Sequence, residues 1–139
     1  MFQPGRRAFS IGSIVLVLTA IAHTLGNLPA PPSTPQEATL LETMKGFILD
    51  MGLMKPSMLD VFRALNMTMS VTVLFWGVQN LVLAKLGNAA LMRPLALCSF
   101  LANLALVALY WIYPVPPALI SFGLAALLFG LALLPERNA

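Results

Sequence analysis

The first apolar stretch of the chain runs from Ala8 to Leu28 and reads AFSIGSIVLVLTAIAHTLGNL. It contains no Asp, Glu, Lys or Arg. As a helix rising 1.5 Å per residue it spans about 30 Å, which is the thickness of the hydrocarbon core of a bilayer. Similar stretches follow at approximately residues 58–84, 93–113 and 117–134. The sequence therefore predicts an all-α polytopic membrane protein, a four-transmembrane-helix antiparallel bundle.

The composition also indicates a membrane location. Hydrophobic residues make up 59% and charged residues 9% of the 139 residues, whereas a soluble domain has about 25% charged residues. The polar segment 28–57 is too short to bury a core of its own, so residues 1–139 are expected to form a single membrane domain. The net charge of +3 is distributed over the span ends, which argues against nucleic-acid binding. One cysteine, Cys98, excludes an internal disulfide.

Basic residues predict the orientation. The pair Arg6–Arg7, then Lys85, Arg93 and Arg137, all fall on one side of a four-span arrangement. Because Lys and Arg collect on the cytoplasmic side, both termini are expected to be cytoplasmic, in a bacterial inner membrane. Ala20–Ala22 resembles a signal-peptide cleavage box, but a basic anchor before a retained first span is the favoured interpretation.

Local signals mark where the later spans begin. Ser57 with Asp60 three residues on predicts a capping box at the start of the second span. Pro94 is expected in the first turn of a third span that begins at about Arg93. Prolines at residues 114–117 predict a tight hairpin before the fourth span, because proline cannot continue a helix.

The outer loop between the first two spans predicts an amphipathic helix over residues 35–51. Thr34-Pro35 followed by Glu37 is a typical helix start, and apolar residues then recur at helical spacing as far as Met51. Gly52 is expected to end this helix. The favoured role is a structural lid or a helix lying on the outer membrane surface; a substrate gate or partner-docking helix is the alternative.

Polar side chains within the spans predict where a ligand would bind. The single histidine, His23, lies roughly 8 Å below the outer end of the first span. Each span carries small and polar residues on one face, as packed membrane helices do. If these faces meet inside a bundle, six side chains become ligand-binding candidates: His23, Arg63, Asn66, Asn103, Tyr110 and Ser121.

His23 is also the candidate for acid–base catalysis, with Asp60 or Tyr110 as its partner. The favoured alternative is that His23 only packs, hydrogen-bonded across helices to Asn66 or Tyr110. Ionisable residues inside a membrane are costly unless paired, so either interpretation requires a partner for the imidazole.

Several other chemistries are disfavoured. Zinc requires several nitrogen or sulfur ligands, and one histidine with one cysteine does not supply them, so no metal site is predicted. No cofactor is predicted, although His23 is a candidate for the single ligand of a haem or a chlorophyll-type pigment, with a haem needing a second ligand from elsewhere. The acidic residues all lie in loops or at span ends, which argues against proton-coupled transport.

Two segments carry a resemblance to known proteins. Ala22–Gly26 reads AHTLG and closes the first span, and Asp60–Phe62 opens the second. Together they resemble small bacterial four-span membrane proteins, with no assigned activity, that have a His-Thr-x-Gly end to span 1. Leu59 stands where those proteins carry tryptophan. The resemblance implies the same four-span layout and directs attention to His23 and Asp60.

Two functional hypotheses follow. The favoured one is a non-catalytic accessory or assembly subunit of a larger membrane complex, or a self-associating bundle, with lipids, other membrane subunits or further copies as partners. It rests on the small-residue faces and on missing catalytic motifs, so an enzyme is disfavoured. The alternative is a small membrane enzyme or carrier for a lipid, quinone or other apolar ligand in an outer-leaflet pocket around His23.

Overall fold

The computed structural model describes residues 4–87 and 89–134, and this part of the chain is all-α. The described residues form five helices: α1 (Pro4–Gly26), α2 (Pro35–Gly46), α3 (Met58–Leu86), α4 (Ala89–Ile112) and α5 (Pro116–Ala132). The predicted all-α class is therefore confirmed. Arg137 lies outside the described residues.

Three of the described helices, α1, α3 and α4, are long and apolar enough to cross a membrane. Helix α5 is also apolar but has only 17 residues. At 1.5 Å per residue it is about 25 Å long. Length and composition thus support an integral membrane protein. By these two criteria alone, three helices are able to span a membrane.

Side-chain caps fix the starts of α2 and α3. Ser57 Oγ accepts from the backbone N–H of Asp60, and the Asp60 carboxylate accepts from the backbone N–H of Ser57 at 3.0 Å. The predicted capping box is therefore confirmed. Thr34 caps α2 by accepting from the backbone N–H of Glu37 at 3.1 Å. Both caps satisfy backbone donors that a helix N-terminus leaves without partners.

Helix α2 is shorter than the sequence predicts, because it ends at Gly46 rather than at residue 51. The chain turns into extended backbone at Phe47 and pairs with itself through two antiparallel bridges, Ile48 with Ser57 and Met51 with Met54. Gly52 does not end a helix; it occupies the left-handed region at φ 76° in the turn of this paired segment. Backbone pairing across the loop replaces the helical hydrogen bonds that the apolar spacing predicts.

Helix α4 begins at Ala89, four residues before the predicted start at Arg93. The preceding residues, Ala89 to Met92, are all strong helix formers, so the helix extends toward the short connection from α3. As a result, Pro94 lies inside the helix rather than in its first turn.

The helices pack antiparallel, with α1 between α3 and α5 and with α5 also against α4. The rings of Phe9 and Phe129 meet edge to face at 5.5 Å, joining α1 to α5. At Gly77 the backbone of α3 lies directly on α1: a Cβ added there would be 2.9 Å from the carbonyl oxygen of Ser13. Only glycine permits this approach, as in other close-packed membrane helices.

The interior of the bundle combines large apolar side chains such as Phe122 with small and polar residues, and its surface is apolar. Buried polar residues within the long helices include Ser13, Ser70, Asn80, Ser99 and Asn103. Large apolar side chains such as Leu18, Phe75 and Leu127 are more than half exposed. Such a largely apolar surface around a core that also buries polar side chains is typical of a bundle surrounded by lipid.

Candidate functional site

His23, near the end of α1, bonds to Ser70 of α3. Its Nδ1 lies 2.8 Å from Ser70 Oγ, and Ser70 is buried with 4% of its surface exposed. The contact joins α1 to α3 through two residues that are 47 positions apart in the sequence. Among the described residues, the other ring nitrogen, Nε2, has no hydrogen-bond partner.

A cavity of about 270 Å³ lies beside His23, between α1, α3 and α5, and is partly open. Its polar lining residues are Thr19, His23, Asn27 and Ser121. The remaining lining residues are Ala22, Gly26, Met69, Val115, Pro117, Ala118 and Phe122. Apolar walls with a few placed polar groups are typical of small-molecule sites.

The predicted partners of His23 bond elsewhere, so the expected pairing with Asn66 or Tyr110 is wrong. Asn66 Nδ2 donates to the carbonyl oxygen of Phe62 in its own helix at 2.9 Å. The Tyr110 hydroxyl donates to the sulfur of Met69 at 3.5 Å. Ser70 contacts the imidazole instead. It lies four residues after Asn66, so the two side chains are on the same face of α3, one turn apart.

Of the six ligand-binding candidates, His23 and Ser121 line the cavity. Tyr110 lies behind it, since its ring stacks on the lining residue Phe122 with centroids 5.7 Å apart. Arg63 is exposed, and neither Arg63 nor Asn66 is among the lining residues. Of the six candidates, the cavity therefore brings together only His23 and Ser121 among its lining residues.

The Asp60 carboxylate caps the start of α3. Its carboxylate accepts from the hydroxyl of Ser57 at 2.7 Å as well as from the Ser57 backbone, and it is not among the residues lining the cavity. Of the two proposed acid–base partners of His23, then, Asp60 caps a helix and Tyr110 bonds to a methionine.

Asn103 lies in a separate polar cluster between α3 and α4. Ser99 Oγ accepts from Trp76 Nε1 at 3.2 Å and from Asn80 Nδ2 at 3.1 Å. Asn103 Nδ2 donates to the Ser99 carbonyl oxygen at 2.7 Å. Asn103 is fully buried, and its Oδ1 has no partner among the described residues. This cluster joins the two helices away from His23.

Sequence reasoning missed Ser70, Met69 and Phe122 as residues of the site. Ser70 could have been found, because it follows Asn66 by one helical turn on the same polar face. Met69 and Phe122 carry no sequence signal that separates them from other apolar residues.

The chemistry available to the cavity is hydrogen bonding with an uncharged lining. None of its lining residues is Asp, Glu, Lys or Arg. Within residues 4–87 and 89–134, no group of three or more His, Cys, Asp or Glu lies close enough together to hold a metal ion.

Comparison with known proteins gives no matching family model, no matching curated protein and no matching solved structure. The resemblance to small bacterial four-span proteins stays a prediction.

Proposed function

We propose that the chain is a four-span integral membrane protein that binds a small, largely apolar molecule in the cavity beside His23. The observation that carries the proposal is a cavity of about 270 Å³ with mostly apolar walls, beside an imidazole anchored by Ser70. Binding or carrying is favoured over catalysis, because Asp60 and Tyr110 are bonded elsewhere.

The packing of α5 supports a fourth span despite its length. At one end, a Cβ added to Gly5 of α1 would lie 3.1 Å from the carbonyl oxygen of Ala132 in α5. At the other end, Gly26 of α1 and Pro117 of α5 line the same cavity. Because α5 follows α1 along most of its length, a membrane crossed by α1 is crossed by α5 too. Its length of about 25 Å is close to the hydrocarbon thickness of about 27–30 Å.

We infer that both termini are cytoplasmic, in a bacterial inner membrane, and the positions of the basic residues support this orientation. Arg6 Nη2 donates to the backbone carbonyl of Lys85 at 3.2 Å, which places the start of α1 beside the end of α3. Arg93 lines a surface groove with Leu133, at the end of α5. All three basic residues therefore lie at the same end of the bundle, and the positive-inside rule assigns that end to the cytoplasm.

The accessory-subunit hypothesis stays a prediction. It requires a partner chain, and the apolar surface of the bundle is equally suited to lipid. No feature of the described surface identifies which membrane subunit, or which second copy, would cover it.

Retention of apolar molecules tests the proposed function. The protein would be purified in lipid nanodiscs and its bound small molecules extracted and identified by mass spectrometry. Ala118→Leu should fill part of the cavity and reduce retention several-fold. Ala105→Leu, the same change on an exposed face of α4, is the matched control and should leave retention unchanged. Equal retention by the two variants, or no molecule beyond that in empty nanodiscs, would contradict the proposal.

A further inference from the structure

The hydroxyl of Ser70 differs from most other Ser and Thr hydroxyls in the apolar helices α1, α3 and α5. Five of them donate to the backbone carbonyl oxygen four residues earlier in their own helix: Ser13, Thr19, Thr24, Thr68 and Ser121. Ser70 instead contacts Nδ1 of His23 at 2.8 Å. This contact is therefore not the usual return of a helical hydroxyl to its own backbone.

The contact favours one position for the ring proton of His23. A charge inside the bilayer is costly, and in a neutral imidazole one nitrogen accepts while the other donates. Ser70 is buried, and its hydroxyl has no other partner among the described residues. An unused buried donor is unfavourable, which favours donation from the Ser70 hydroxyl to Nδ1. The ring proton of His23 is then on Nε2, which has no acceptor among the described residues.

The two hydroxyls that line the cavity do not duplicate this donor. Thr19 and Ser121 already donate their hydroxyl hydrogens to the carbonyl oxygens of Val15 and Pro117. Asn27 donates one amide hydrogen back to the carbonyl oxygen of His23 at 2.7 Å and keeps its second amide hydrogen. In that tautomer His23 carries a partly buried N–H group at the cavity that it lines, and such a group is stabilised when a ligand supplies an acceptor.

We propose that the molecule bound in the cavity carries a carbonyl group whose oxygen accepts a hydrogen bond from Nε2–H of His23. This inference rests on the proposed function and adds the chemical class of the ligand. The cavity of about 270 Å³ falls just below the range of about 300–1,000 Å³ for drug-sized ligands, so it holds a head group while an apolar tail extends outward. Such a carbonyl comes either from a lipid ester or from a separate apolar ketone or quinone.

Nitrogen NMR of the single histidine tests the proton position. The protein would be labelled with ¹⁵N-histidine and placed in nanodiscs of diether phosphatidylcholine, which has no carbonyl group. We expect a protonated signal from Nε2 and an unprotonated signal from Nδ1. Ser70→Ala should shift the proton population toward Nδ1, whereas Ser121→Ala, whose hydroxyl bonds within its own helix, should not. A proton mainly on Nδ1 in the unchanged chain would overturn the inference.

Matched probes and lipids then test the acceptor and its source. Adding 2-undecanone to the diether nanodiscs should shift the signal of the Nε2–H proton downfield. The protein should also retain about ten times more 2-undecanone than undecane, the ratio that one hydrogen bond provides. If diester phosphatidylcholine alone produces the downfield shift and 2-undecanone adds little, the carbonyl comes from the lipid ester.

The outcomes separate the two proposals. Equal retention of undecane and 2-undecanone, with no shift of Nε2–H, would leave binding in the cavity intact and refute the carbonyl contact. Retention of neither probe, with identical spectra in the two lipids, would refute the proposed function and the inference together.

Discussion

Gly77 lies where α3 packs directly on the backbone of α1, so its replacement by alanine tests the register of the two helices. A Cβ at this position would lie 2.8 Å from Val17 Cγ2 and 2.9 Å from the Ser13 carbonyl oxygen. The first distance is about 0.6 Å short of the 3.4 Å at which ordinary contact begins. The carbonyl oxygen belongs to the backbone of α1, so the clash is relieved only if the helices move apart.

The expected cost of Gly77→Ala follows from two opposing terms. Overpacking of a tight interface costs about 1–3 kcal/mol, while replacing glycine by alanine within a helix returns up to about 1 kcal/mol. We expect a net loss of about 1–2 kcal/mol in the free energy of unfolding. That loss corresponds to roughly a five- to thirtyfold fall in the ratio of folded to unfolded protein.

The assay is unfolding by sodium dodecyl sulfate in mixed micelles, followed by circular dichroism. Gly123→Ala in α5 is the matched control, because nothing lies within 4 Å of a Cβ added at Gly123. The control should be as stable as the unchanged chain or slightly more stable. A Gly77→Ala protein at least as stable as the control would refute the close approach of α1 and α3.

Three further predictions concern other parts of the chain. Ser99→Ala removes the acceptor of two α3 donors and should cost about 1–2 kcal/mol in the same unfolding assay, whereas Thr68→Ala, which loses only a bond within its own helix, should cost much less. Hydrogen bonds from Ser33 hold the pKa of Glu37 below its ordinary value of 4.5. The ionised Glu37 carboxylate should therefore stabilise the start of α2 fully at pH values above 4.5, and this stabilisation should be lost as the pH falls through the lowered pKa. Carbon NMR titration measures this pKa, and Ser33→Ala should raise it; an unchanged titration curve would contradict the assignment. Cys98 is exposed on α4, so a membrane-impermeant maleimide should label it slowly in nanodiscs and rapidly after denaturation; equally rapid labelling in intact nanodiscs would contradict a lipid-facing position.

Features set by local chemistry could be predicted from the sequence. The capping box of Ser57 and Asp60 depends on residues three apart, and the structure contains it. The apolar helices follow from runs of side chains that must avoid water. By contrast, the end of α2 at Gly46 depends on backbone pairing between Ile48 and Ser57 across a loop. A helical spacing of apolar residues carries no information about that pairing.

The contact of His23 with Ser70 rather than Asn66 could not be predicted, because it depends on how far α1 is shifted along α3. That shift depends partly on the close approach at Gly77, where the two backbones meet. A difference of one turn, about 5.4 Å, separates the predicted partner from the observed one. The sequence identifies the polar face of each helix, whereas the register between faces depends on packing.

The contact between Phe9 and Phe129 has a consequence for biosynthesis. The two rings are separated by about 120 residues of chain, which a ribosome adds in on the order of ten seconds at 5–20 residues per second. During that interval the α5-facing side of α1 has only lipid, or the insertion machinery, as a neighbour. The bundle can therefore close only after α5 has emerged, and a ribosome that stalls before Phe129 would leave a membrane-inserted intermediate with an incomplete α1 interface.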